Sequence, residues 1–115
     1  LIIDNNRVLF LKNERNEWDL PGGKINFYEN PIQCLKREVF EETKLSLKNI
    51  ELVDFLNLKF NDIPVGIVLY KSLIGSDNPV EISFEHSDFN FLTKNQIKNI
   101  NCPNEYKKVI FNLIF

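Results

Sequence analysis

One stretch limits what this chain can fold into more than any other. Residues 21–45 read PGGKINFYENPIQCLKREVFEETKL. The Pro-Gly-Gly step breaks any regular element. Asn30 and Pro31 then start a helix, an N-cap residue followed by the residue best suited to the first helical position. The helix is predicted from about Pro31 to Lys44, with Ile32, Leu35 and Val39 at helical spacing as its buried face. A helix of this length is marginal alone and needs a layer to pack against.

The rest of the chain supplies that layer. LIID and RVLFL read as two strands joined by an Asn-Asn turn. KNERNE, residues 12–17, is a polar loop, and KINFY, residues 24–28, is expected to be a short strand. NIELVDFLNLKF and IPVGIVLYKSLI form a predicted hairpin closing near NDIP. GSDNP is a turn, and VEISFEH is a further strand or extended segment. Thr93 caps a short helix, and NEYKKVIFNLIF closes the chain as an amphipathic helix with Tyr106, Val109, Ile110 and Leu113 on one face. The fold class that follows is α/β or α+β: a mixed β-sheet with helices packed on it.

At 115 residues and 43% hydrophobic content, this is one domain with its own core, spanning residues 1–115. The chain has no Met, so the expectation is that its N-terminus is truncated, with part of a first strand missing. A net charge of −2 argues against a nucleic acid polymer as partner. No apolar run approaches the roughly 20 residues that span a bilayer, and no signal peptide is visible. Cys34 and Cys102 sit in no metal or redox motif. A cytoplasmic setting with reduced thiols is expected.

The predicted helix raises a chemical question. Glu38, Glu41 and Glu42 stand three and four residues apart, a spacing at which like charges repel. A solvated acidic face is one reading. A cation site is the other, because the carboxylates adjoin the apolar stripe, follow a glycine-rich loop and have Glu29 just ahead of them. Hard cations such as Mg²⁺ and Mn²⁺ take oxygen ligands, and Mg²⁺ often leaves positions for phosphate.

From Gly23 to Leu45 the chain resembles the signature of the Nudix hydrolases, G-x5-E-x7-R-E-U-x-E-E-x-G-U, where U is a bulky aliphatic residue. Gly23, Glu29, Arg37, Glu38, Val39, Glu41, Glu42 and Leu45 fill their positions, and WDLPGG resembles the usual lead-in. Lys44 stands where the pattern has Gly, which suggests a slightly different helix end.

The resemblance implies a Nudix-type α/β/α sandwich. It also implies metal-dependent hydrolysis of the diphosphate in a nucleoside diphosphate linked to another group. Glu38, Glu41, Glu42 and the Gly22 carbonyl would hold Mg²⁺ or Mn²⁺, and Arg37 would orient a ligand glutamate, either Glu41 or a neighbour. Glu29 would support the loop and helix geometry. Glu38 is a candidate base. Glu85, with the aromatic Phe91 after it, resembles the later glutamate of mutator-type members and is a candidate metal ligand or base. That stretch leans toward a nucleoside triphosphate, oxidised ones included, giving a monophosphate and pyrophosphate. ADP-ribose or a nucleotide sugar is the alternative substrate, and a nucleotide sensor without turnover is the alternative function. His86 is expected in a surface loop or against substrate phosphate, Lys24 and Arg7 at the surface or offsetting phosphate charge, and Trp18 under the loop. Apolar residues near the C-terminus suit either the core or a homodimer contact.

Overall fold

The computed structural model describes residues 1–75 and 79–114. Among these described residues nine elements follow one another: β1 (Ile2–Asp4), β2 (Arg7–Lys12), β3 (Trp18–Asp19), α1 (Pro31–Thr43), β4 (Glu51–Phe60), β5 (Ile63–Leu73), β6 (Asp88–Leu92), α2 (Lys94–Asn99) and α3 (Asn104–Leu113). The first strand pair turns through Asn5 and Asn6, and β4 and β5 turn through Asn61 and Asp62. All four residues have φ between 50° and 65°. That left-handed backbone costs Asn and Asp less than other side-chain-bearing residues, and its twist matches a two-residue hairpin.

The six strands form one mixed sheet in the order β3-β2-β1-β5-β4, with β6 paired to β2. β1 runs antiparallel to β2 and parallel to β5, with Ile2 opposite Ser72. The β4–β5 ladder breaks register between Leu52 and Asp54, a bulge at Val53.

Successive residues of β1 and β2 point to opposite faces, so their unbroken apolar runs feed two cores. On one face Ile3, Val8 and Phe10 pack with Leu58, Leu69, Ile97 of α2 and Tyr106 and Ile110 of α3. On the other, Ile2, Leu9 and Leu11 pack with Val39 of α1, Leu45 and Leu47. Helices cover both faces of the sheet, which is the expected α/β/α sandwich.

Several local expectations need correction. KINFY is not a strand. Phe27 and Tyr28 are almost fully exposed, and a turn from Glu29 N–H to the Asn26 carbonyl bends the backbone instead. DFNFL is a strand, β6, recognisable only by its five-residue register with β2. In VEISFEH, residues 80–83 join no ladder and Phe84 and Glu85 form a turn. The amides of Glu81 and Ser83 donate to the Thr43 and Glu42 carbonyls at the end of α1. On α1, Ile32 is exposed, whereas Cys34 is buried with its thiol toward the Gly23 carbonyl at 3.6 Å. On α3, Tyr106 and Ile110 face inward, whereas Leu113 is about half exposed. Phe111 and Ile114 pack against the first core, as does Trp18, which also lies under the Lys12 ammonium at 5.6 Å. The GSDNP turn falls largely outside the described residues.

Candidate active site

The site begins at the start of α1. Asn30 accepts from the Gln33 amide and the Gln33 side chain accepts from the Asn30 amide, a reciprocal capping box. The cap sets the helix at a fixed angle to the loop before it, so Arg37, two turns in, reaches back over that loop.

Arg37 is the hub. Its Nε and Nη2 donate to the two carboxylate oxygens of Glu29 at 3.0 and 2.7 Å. Its Nη1 donates to Glu38 Oε1 at 2.9 Å and, more weakly, to Glu41 at 3.3 Å. Nη2 also reaches the Lys24 carbonyl. The expected Arg37–Glu41 pair is therefore the weakest of three, and Glu29 takes the bidentate geometry that guanidinium favours. Hydrogen bonds from Arg37, then from the Asn26 amide, hold the Glu29 carboxyl down at about 2. Glu29 locks the loop to the helix.

Two glycines bring that loop onto the acidic face. Gly22 has φ +151°, a backbone that side chains rarely adopt, and its amide donates to Glu42 Oε1 at 2.8 Å. Gly23 faces Glu38 so closely that a β-carbon there would stand 2.3 Å from the Glu38 carboxyl carbon. Glu42 is itself buried. Burial pushes its carboxyl up to about 7. The Gly22 amide opposes this, while the charges of Glu38, Asp19 and Glu85 add to it.

The extended segment after β5 completes the site. Its bonds to the end of α1 continue into a turn from His86 N–H to the Ser83 carbonyl and a tie from Ser87 N–H to the Lys12 carbonyl. His86 is thereby set against Glu42, with Nε2 at 3.6 Å from Oε2 and a side chain only 13% exposed. Of the two places expected for it, a surface loop or a position against substrate phosphate, His86 keeps the loop but not the full exposure. Glu85 beside it is exposed, and its charge is felt at Glu42. Lys24 and Arg7 are exposed.

Glu38 and Glu41 thus meet at Arg37, and Glu42 stands apart on the Gly22 amide. Among the described residues no three His, Cys, Asp or Glu side chains converge as a ready cation cage. Asp19 and His86 were missed as members of this neighbourhood. The lead-in WDLPGG was the available signal for Asp19, and the adjoining candidate Glu85 was the one for His86. Lys44, at the departing position, has φ +63° and donates its amide to the Phe40 carbonyl. The helix therefore ends in the left-handed cap that Gly would form, not a different one.

Beside the loop lies a largely apolar cavity of about 780 Å³, bordered by Gly22, Gly23 and Ile25, by Leu35 of α1, and by Val68 and Tyr70 of β5. Its size suits a nucleotide-sized ligand.

With this geometry in place, the comparisons with known proteins name the class. The NUDIX domain family profile matches residues 1–113, and the chain belongs to the Nudix family. It is a MutT-like Nudix hydrolase, a pyrophosphohydrolase. It is 32% identical to the 8-oxo-dGTP diphosphatase of Buchnera aphidicola subsp. Acyrthosiphon pisum (strain APS), over 75% of this chain and 85% of that protein. Its fold is shared with the MutT protein from Methanosarcina mazei Go1, at TM-score 0.84 and 23% identity, covering 97% of this chain and 86% of that one. It is shared as well with the E. coli dihydroneopterin triphosphate pyrophosphohydrolase, at TM-score 0.84 and 15% identity, covering 99% and 92%. Among the described residues no helix is long and apolar enough to cross a membrane.

Proposed function

We propose that this enzyme hydrolyses a nucleoside triphosphate, oxidised deoxynucleoside triphosphates included, to the monophosphate and pyrophosphate, with Mg²⁺ or Mn²⁺ as cofactor. One observation carries the reading. The Gly-Gly loop and the acidic face of α1 are interlocked, Gly22 N–H on Glu42 and Gly23 against Glu38, at the edge of a nucleotide-sized cavity. The Buchnera relative's 8-oxo-dGTP activity supports the substrate class.

The donor set fits a hard divalent cation. Glu38, Glu41, Glu42 and the Gly22 carbonyl offer oxygen only, and Glu85 adds another carboxylate nearby. When bound, such an ion neutralises diphosphate charge and makes a bound water more acidic. The chain's own residues do the rest. Arg37 holds Glu38 and Glu41 in fixed directions. Glu42, one residue beyond Glu41, is turned toward the loop, its Oε1 on the Gly22 amide. Glu38 or Glu85 takes the proton of the attacking water. The water oxygen joins one phosphorus of the α–β bridge, that P–O–P bridge breaks, and the departing product, pyrophosphate or the nucleoside monophosphate, leaves as an anion needing little acid assistance.

The test is a turnover screen with Mg²⁺ or Mn²⁺ over nucleoside triphosphates, 8-oxo-dGTP, ADP-ribose, nucleotide sugars and dinucleoside polyphosphates, with Glu41→Gln and Glu42→Gln alongside. Metal-dependent release of pyrophosphate from a triphosphate, lost in both variants, is expected. Preferred cleavage of ADP-ribose or a nucleotide sugar would overturn the substrate assignment. Tight binding without turnover would overturn the catalytic one.

A further inference from the structure

We infer that His86 is a positioning residue for Glu42 and that it sets the cation affinity of the site, an inference that rests on the reading of Glu42 as a metal ligand. Glu42 presents two oxygens. Oε1 is fixed by the Gly22 amide at 2.8 Å. Oε2 faces only one side chain within ion-pair distance among the described residues, His86, whose Nε2 stands 3.6 Å away. That gap is too long for a hydrogen bond and closes to one with roughly 0.7 Å of movement.

Three further observations show that His86 is held in place for this contact. Its side chain is 13% exposed, although it lies in a segment without regular structure. The segment is anchored on both sides, by Ser83 N–H on the Glu42 carbonyl itself and by Ser87 N–H on the Lys12 carbonyl. The chain that carries His86 is therefore bonded to the backbone of the residue it faces. Finally, His86 Nδ1 is buried with no hydrogen-bond partner among the described residues. A buried polar atom left unpaired costs on the order of 1–3 kcal/mol, and core packing alone would favour an apolar residue here. Of the two ring nitrogens, only Nε2 faces a charged side chain.

The tautomer follows. When ionised, as at pH 8, the Glu42 carboxylate only accepts, so Nε2 carries the proton and Nδ1 is the unprotonated nitrogen. Once that gap closes, Glu42 is held at both oxygens, by a main-chain amide and by a ring N–H. Its rotation is restricted before an ion arrives. Outer partners of this kind typically change metal affinity by about 10–100-fold when removed.

The experiment measures Mn²⁺ binding by electron paramagnetic resonance, without substrate, in the wild type, His86→Gln, His86→Leu and Glu42→Gln. Gln keeps an N–H donor; Leu fills the space and offers none. His86→Leu should bind Mn²⁺ about 10-fold or more weakly, His86→Gln should stay within about 3-fold of wild type, and the metal-free melting temperatures should stay close. Equal affinity in His86→Leu, or equal losses in Leu and Gln, would overturn the proposal while leaving Glu42 as a ligand. Unchanged binding in Glu42→Gln would overturn both readings. If His86→Leu does not fold, the wild type suffices. Long-range ¹H–¹⁵N spectra at pH 8 should show the imidazole proton on Nε2, and a proton on Nδ1 would overturn the assignment.

Discussion

The carboxyl carbon of Glu38 stands 2.3 Å from where a β-carbon on Gly23 would be, so the second glycine of the loop and the first glutamate of the acidic helix occupy adjoining space that no side chain can share. Gly23→Ala must therefore displace Glu38 from Arg37. A misplacement of about 1 Å in a reacting array costs about 100-fold in rate. The kcat of Gly23→Ala should fall by about that factor, while its melting temperature drops by only a few degrees, as read by steady-state kinetics and calorimetry. Activity within about 3-fold of wild type would show that Glu38 can shift without consequence.

Arg37 makes four distinct contacts through one planar group, and a lysine ammonium cannot reproduce them. Arg37→Lys should lose about 10-fold or more in kcat/KM, because Glu38 and Glu41 lose their common donor. The Glu29 pairing also has an acid signature. Its carboxyl is held near 2 in the folded protein, below the ordinary glutamate value of 4.5. The stability it contributes is complete above the unfolded value and is lost as pH falls from about 4.5 through about 2. The difference in denaturation midpoint between wild type and Glu29→Gln should be constant near neutrality and shrink across that acid window.

Glu42 titrates in the opposite sense. Burial raises its carboxyl to about 7 in the metal-free fold. The folded state then holds a proton that the unfolded chain has already released, so stability declines as pH rises from about 4.5 to about 7. The shift corresponds to at most about 3 kcal/mol. Glu42→Gln should accordingly be more stable than wild type at pH 8 in chelator. An ion bound at Glu42 displaces that proton. Calorimetric titration of Mg²⁺ at pH 6.5 in buffers of different ionisation enthalpy should report proton release in wild type and less in Glu42→Gln.

Lys44 holds φ +63° at the end of α1, a conformation that costs a side-chain-bearing residue roughly 1–2 kcal/mol. Its ammonium lies 5.3 Å from the Phe40 ring centroid, an exposed contact that offsets part of this. Lys44→Gly should raise stability by about 0.5–1 kcal/mol in urea titration, with turnover unchanged. A loss of stability would mean that the Phe40 contact outweighs the backbone strain.

Much of this was legible in the chain because it depends on neighbours in sequence. The Asn30–Gln33 cap, the Asn-Asn and Asn-Asp turns, the extent of α1 and the two long strands of the hairpin each follow from local backbone chemistry. So did the grouping of Glu38, Glu41 and Glu42 on one helix, since their spacing alone puts them there. KINFY misled because alternating apolar residues mark a strand only where a partner edge exists, and here Glu29, Asn26 and Arg37 hold the backbone in a loop. β6 was missed for the converse reason: its ladder to β2 spans some eighty residues of chain.

What the sequence by itself determined is the set of elements and the chemistry of the acidic helix. The tertiary structure alone decided how that chemistry is divided. Arg37 takes Glu29 first and Glu41 last. Glu42 leaves the cluster for the Gly22 amide, and a segment forty residues later sets His86 against it. Those choices turn on distances of a few ångströms between residues far apart in the chain, fixed by packing on two faces of one sheet, and no local pattern encodes them.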